Sequence, residues 1–145
     1  MSDADLIKLY SQRILALAAD MPRTDPLTAP DAVMRKRAPL CGSTVEVAIT
    51  LQDGRISGYS QTVHACALGQ ASAAIFGAQV IGCSRGQVAL LRDQLAAMLK
   101  GEPVPDAPFG EYEVLTAARE YPNRHGSILL APEATLAAFD SAIAA

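Results

Sequence analysis

The spacing of apolar residues along the chain predicts a helix first and then a change to strands. One stripe of apolar residues recurs at spacings of three and four: Ile7, Tyr10, Ile14 and Leu17. This spacing is typical of one face of an amphipathic helix, which we place over residues 5–21. Pro22, Pro26 and Pro30 follow, and because proline lacks an amide donor and fixes its own backbone, they predict a loop.

Between residues 33 and 63 the apolar period becomes two. Val45, Val47, Ile49 and Leu51 alternate with Thr44, Glu46, Ala48 and Thr50. This alternation predicts a half-buried strand. Asp53-Gly54 is a hairpin turn signal. With residues 32–38 before it and 55–63 after it, the strand completes a predicted three-stranded antiparallel meander.

After Cys66 the helical period returns. Leu68, Ala71, Ile75 and Ala78 share one face, and Gly82 ends that segment. Ser84 is a good N-cap for a second helix that ends at Gly101. Shorter helical patterns cover residues 111–121 and 132–144. The order predicts one α+β domain over residues 1–145, with an N-terminal helix, a three-stranded antiparallel sheet, and helices packed on one face of it.

Composition and charge narrow the classes of function. The 145 residues are 50% hydrophobic and 19% charged, with a net charge of −3. The longest basic run is Arg35-Lys36-Arg37. We therefore expect no nucleic-acid partner. An uncharged stretch between His64 and Arg85 is long enough to span a bilayer, but its glycines and glutamines indicate a helix buried in a soluble protein, so we expect no membrane partner.

The three cysteines, Cys41, Cys66 and Cys83, are far apart in the sequence and cannot all pair. The first residues are acidic, where a secretory leader would be basic. We expect a cytoplasmic protein whose thiols stay free for metal or sulfur chemistry.

Cys41 and Cys66 are predicted to meet at one edge of the sheet. Cys41 and Gly42 form a tight loop before the second strand, and Cys66 follows the third strand. In an antiparallel meander these two junctions lie at the same edge. Cys66 also begins a helix, whose free amides favour a thiolate, so we expect it to be the more acidic thiol. The alternative is that each cysteine only fills space; we expect no dedicated role for Cys83.

Several segments together resemble a known family. They are Pro39-Leu40-Cys41-Gly42, the Asp53-Gly54 turn, the helix start Ala65-Cys66-Ala67-Leu68-Gly69-Gln70-Ala71-Ser72-Ala73, and the turn at Gly82. In this order they resemble the U-type iron–sulfur cluster assembly scaffolds, the IscU, SufU and NifU N-terminal family. The resemblance implies a SufE/NifU-like fold. It also implies that Cys41 and Cys66 bind a [2Fe–2S] cluster or iron, with zinc as a further possibility.

Two positions depart from the family's pattern. Ser43 replaces an aspartate two residues after the first cysteine. The third family cysteine falls in residues 122–131, where counting without gaps gives Ser127. Shifted by one residue, His125 matches a histidine that precedes this cysteine in one branch of the family, and Gly126 matches the cysteine itself. Neither alignment supplies a third thiolate.

A histidine could replace the missing thiolate. A neutral imidazole binds zinc and is acceptable to iron, so His125 is the candidate third metal ligand beside Cys41 and Cys66. The alternative is an exposed loop histidine without a role. His64, two residues before Cys66, is a weaker candidate.

The resemblance implies a scaffold rather than an enzyme, and three hypotheses remain open. The first is a scaffold that holds a labile [2Fe–2S] cluster and passes it to acceptor proteins. The second is a sulfur acceptor that takes a persulfide from a cysteine desulfurase. The third is a zinc-bound or metal-free binding module. A homodimer is possible in the first, because a [2Fe–2S] cluster takes four protein ligands. No nucleophile elbow, phosphate loop or H-E-x-x-H helix motif indicates a hydrolase.

Overall fold

A computed structural model of the protein describes residues 11–144. The elements in chain order are α1 (Gln12–Ala19), β1 (Ala32–Arg37), β2 (Thr44–Gln52), β3 (Arg55–His64), α2 (Ala67–Gln79), α3 (Arg85–Met98), a 3-10 helix (Gly110–Glu120) and α4 (Pro122–Ala144). The predicted α+β architecture is confirmed, with one sheet and a helical remainder. No helix in the described range is long and apolar enough to cross a bilayer.

Helix α1 confirms the second half of the predicted N-terminal helix. The Ser11 side chain caps it by accepting a hydrogen bond from the Ile14 amide. Ile14 is buried in the core, and Leu17 is half-buried. Residues 5–10 of the prediction, with Ile7 and Tyr10, lie outside the described residues.

The three strands form an antiparallel sheet in the order β1-β2-β3, as predicted. Val45, Val47 and Ile49 are buried on the face that packs against the helices. Asp53 and Gly54 both have positive φ, which matches the two-residue turn that hairpins favour. At the other end of β2, Thr44 pairs with His64, so the loop before β2 and the end of β3 share one edge of the sheet.

The helices α2 and α3 begin as the sequence predicts. Cys66 occupies the N-cap of α2, and Ser84 caps α3 in a reciprocal capping box with Gln87. Helix α2 carries no charged residue and is mostly buried, because α1, the 3-10 helix and α4 all pack around it. Its middle, residues 71–77, is therefore enclosed on all sides.

Helix α4 is longer than the sequence predicts. The pattern of apolar residues predicts a helix only over residues 132–144, and proline destabilises a helix interior. The structure instead begins α4 at Pro122 and continues through Pro132. Pro132 has no amide for the Ile128 carbonyl four residues earlier, but the Ser72 hydroxyl of α2 donates to that carbonyl at 2.5 Å. A tertiary hydrogen bond thus replaces the missing helical one.

Candidate functional site

The predicted meeting of the two cysteine junctions is observed. The backbone of the Cys41 loop is closed by hydrogen bonds from the Gly42 amide to the Ala38 carbonyl and from the Ala38 amide to the Ser43 carbonyl. Gly42 has a φ of 72°, a conformation that favours glycine. This tight turn leaves Cys41 exposed at the edge of the sheet beside the start of α2.

Two serine hydroxyls connect the two thiols. The Cys41 Sγ lies 3.2 Å from the Ser43 Oγ. The Ser127 hydroxyl donates to the Ser43 Oγ at 3.0 Å, and the Ser127 Oγ lies 3.7 Å from the Cys66 Sγ. Three successive contacts therefore connect Cys41 to Cys66. We call these four residues the thiol–hydroxyl site.

Hydrogen bonds favour the ionised form of both thiols in this site. Burial opposes ionisation of Cys41, but contacts with the side chain and backbone of Ser43 and with Ser127 outweigh it and lower the pKa. Partial burial opposes ionisation of Cys66 as well. There the Gly69 amide, the Ser127 hydroxyl and Arg124 outweigh burial, so the pKa of Cys66 also lies below its ordinary value.

Gly69 also makes room for Ser127. A Cβ placed on Gly69 would lie 2.2 Å from the Ser127 Oγ and 2.9 Å from the Ala65 Cβ, both too close for real contacts. The absence of a side chain at position 69 lets α4 bring the buried Ser127 up against the first turn of α2. Gly69 thus provides both an amide near the Cys66 sulfur and the space for its hydroxyl neighbour.

His125 takes no part in the hydrogen bonds of the thiol–hydroxyl site. Its Nε2 lies 2.9 Å from the Ala118 carbonyl, which can only accept, so Nε2 donates the hydrogen bond. Residues two apart on a helix do not face the same way, so His125 and Ser127 project in different directions from α4. His64 is exposed at the end of β3.

Cys83 lies away from the other thiols. It is buried between α2 and α3, and its Sγ donates to the Gln79 carbonyl at 3.6 Å. Burial raises the pKa of Cys83, although the positive charge of Arg55 partly offsets the effect. This is the environment of an inert structural thiol. Across residues 11–144, no three His, Cys, Asp or Glu side chains cluster as a metal site.

The sequence indicates both thiols but not the serine hydroxyls that connect them. Along the sequence, Ser43 and Ser127 are only departures from a family pattern. The ungapped count from Pro122 to Ser127 was the signal that could have found the second hydroxyl. In the structure the hydroxyl of Ser127, the residue that this count reaches, contacts the Cys66 sulfur.

The chain has clear structural relatives. A NifU-like N-terminal protein from Brucella abortus is 35% identical, with a TM-score of 0.91 over 97% of this chain and 98% of that one. A putative iron–sulfur cluster assembly scaffold protein for the SUF system from Fervidobacterium islandicum is 20% identical, with a TM-score of 0.81 over 90% of this chain and 96% of that one. A hypothetical protein is 20% identical, with a TM-score of 0.80 over 94% and 98% of the two chains.

The fold defines the class of NifU-like proteins. More particularly, the chain belongs to the NifU-like N-terminal family, as its identity to the Brucella protein over nearly the whole length shows. No protein-family model and no curated protein matches the chain.

Proposed function

We propose that the protein is an iron–sulfur cluster assembly scaffold that binds iron or a labile [2Fe–2S] cluster and passes it to acceptor proteins. The supporting observation is the convergence of Cys41 and Cys66 in one site, where hydrogen bonds lower the pKa of both thiols. Thiolates are the usual ligands of iron–sulfur clusters. In this role the protein presents cargo to partners and turns over no small-molecule substrate.

The ligand count favours a cluster shared between two chains. One chain supplies two thiolates, whereas a [2Fe–2S] cluster takes four ligands. Ser127 stands beside Cys66 where a third thiolate would be needed, and a neutral hydroxyl is a poor ligand for iron. A homodimer supplies Cys41 and Cys66 twice and completes the set without another residue type.

His125 remains the alternative third ligand within one chain. A metal-bound histidine usually donates its other ring N–H to a carbonyl, and the contact from Nε2 to Ala118 is of that kind. Nδ1 would then be the metal-binding atom. Zinc is a further possible cargo at this site, since it accepts both thiolate and imidazole ligands.

Anaerobic reconstitution with iron and sulfide tests the proposal. Visible absorption, iron and sulfide content, and sedimentation should show one cluster for two chains, which chelators remove within minutes. Cys41→Ser and Cys66→Ser should each prevent cluster formation, whereas Cys83→Ser is the matched control and should form it normally. Loss of the cluster in His125→Ala would identify His125 as the third ligand.

Failure of uptake would change the assignment. If the wild-type protein binds neither iron nor zinc, and the double variant Cys41→Ser/Cys66→Ser keeps its cellular role, the protein is a metal-free binding module.

One observation favours a second role, as a sulfur acceptor. Cys41 is exposed, and hydrogen bonds lower its pKa, as suits a nucleophilic thiol. Its thiolate would attack the outer sulfur of a desulfurase persulfide. The sulfur–sulfur bond of the donor breaks, the desulfurase cysteine leaves as a thiolate, and Cys41 carries the persulfide. Mass spectrometry after incubation with a desulfurase and cysteine should then show one added sulfur atom on Cys41.

A further inference from the structure

Three consecutive cations lie on the edge strand that leads into the Cys41 loop. Arg35, Lys36 and Arg37 end β1, and all three are exposed. None of the ion pairs formed within residues 11–144 includes any of them. Glu46 is the register partner of Arg35 on β2, yet the two side chains do not form a salt bridge.

The register places this charge next to the reactive thiols. Arg37 pairs with Thr44, and Thr44 pairs with His64, so Arg37 lies at the edge of the sheet that holds both cysteine junctions. Its guanidinium reaches Gly42, where an added Cβ would lie 3.5 Å from Nη2. The positive charge therefore lies beside Gly42, the residue that follows Cys41.

An exposed apolar side chain completes this surface. Leu40, the residue before Cys41, is 80% exposed, the largest value among the exposed large apolar residues described. We call Arg35, Lys36, Arg37 and Leu40 the basic rim. The whole chain carries a net charge of −3, so the rim is a local patch of opposite sign. Such a patch orients an approaching partner of complementary charge.

We propose that the basic rim docks the protein that supplies sulfur to Cys41, and that this partner presents an acidic surface beside its own persulfide-bearing cysteine. The inference rests on the proposed function and adds the chemistry of the partner. Three cations in an acidic chain are too few to hold nucleic acid at physiological salt. The exposed Leu40 favours a protein, because protein interfaces bury apolar side chains inside a polar rim.

Association kinetics with the cysteine desulfurase of the same organism test this proposal. The association rate of the wild-type protein should fall steeply as salt rises. Arg35→Glu/Lys36→Glu should lower that rate about tenfold at low salt and remove most of its salt dependence. The dissociation rate should change little, because charges at the edge of an interface act mainly on encounter.

Lysines provide a matched control. Lys36→Glu and Lys100→Glu make the same change of charge at two exposed positions, and neither lysine forms an ion pair within the described chain. Lys36→Glu should slow association, whereas Lys100→Glu should stay within about twofold of the wild type.

The outcomes separate this proposal from the proposed function. Equal association rates for wild type and Arg35→Glu/Lys36→Glu would overturn the docking surface, and the cations would then only protect an open sheet edge. If the wild type forms a cluster in reconstitution but never associates with the desulfurase, the docking proposal fails and the scaffold stands. Salt-sensitive binding of RNA through the rim, with no binding of the desulfurase, would also overturn it.

Discussion

Ser72 makes the hydrogen bond that Pro132 cannot make. Pro132 lies inside α4 and has no amide to donate to the Ile128 carbonyl. The buried Ser72 hydroxyl of α2 donates to that carbonyl at 2.5 Å and also lies 3.0 Å from the Tyr112 hydroxyl. Because Ile128 directly follows Ser127, this bond holds α4 in the position that brings Ser127 to the Cys66 sulfur.

Ser72→Ala should lower the free energy of unfolding by about 1–3 kcal/mol, since it leaves the buried Ile128 carbonyl without a donor. In a Pro132→Ala background the loss of unfolding free energy should be smaller, because the amide of the new alanine can donate a hydrogen bond to the Ile128 carbonyl. Denaturant unfolding of the four proteins in this double-mutant cycle measures the difference. Thr135→Ala, which removes a buried hydroxyl from the same helix, should cost a similar amount in both backgrounds. Equal losses for Ser72→Ala in both backgrounds would contradict the compensation.

Gly69→Ala should destabilise the protein by about 1–3 kcal/mol, because the added methyl collides with Ser127 and Ala65. It should also disturb the first turn of α2 and weaken cluster retention. The matched control is Gly86→Ala in α3, where the nearest atom to an added Cβ is 3.9 Å away. That variant should be neutral or more stable by about 0.5–1 kcal/mol, because alanine favours a helix. Similar unfolding midpoints for the two variants would rule out the crowding at Gly69.

Ser127→Cys should give a longer-lived cluster than the wild type. The hydroxyl that it replaces contacts Cys66 and Ser43, so the new thiolate would stand in the site as a third ligand of the kind iron prefers. The rate at which a chelator bleaches the reconstituted cluster should fall several-fold. Ser57→Cys adds an exposed thiol at the far end of β3 and should leave the rate unchanged. No change in Ser127→Cys would show that position 127 is not a ligand position.

The pH dependence of alkylation should separate the three thiols in the metal-free protein. Only thiolates react, so a lowered pKa lets Cys41 and Cys66 react at a pH where an ordinary cysteine is protonated. The buried Cys83, whose pKa is raised, should need higher pH. We further expect Cys66 to titrate below Cys41, because it alone stands at a helix start. Rates of iodoacetamide alkylation, followed by mass spectrometry for each cysteine, give the three pH profiles. A pKa of Cys66 near the unperturbed value of about 8.5 would contradict this prediction.

Local patterns were sufficient for much of the fold. The alternation around Val47, the Asp53-Gly54 turn and the Ser84 cap each act within a few residues, so the strands and the start of α3 were predictable. The antiparallel meander then brought Cys41 and Cys66 to one edge, because hairpin geometry follows from short connections. The predicted start of α4 was wrong because it depends on a distant contact. The hydrogen bond that lets α4 continue through Pro132 comes from Ser72 in α2.

The sequence by itself determined the α+β order, the two thiols and the edge at which they meet, since these depend on periodicity, turns and strand pairing. Only the tertiary structure decided what lies between the thiols. Ser43 and Ser127 are 84 positions apart in the sequence, and their hydroxyls meet because α4 packs against the sheet and the first turn of α2. That packing requires a space at Gly69 and a donor at Ser72, which are properties of surfaces brought together by folding and have no periodic signal along the chain.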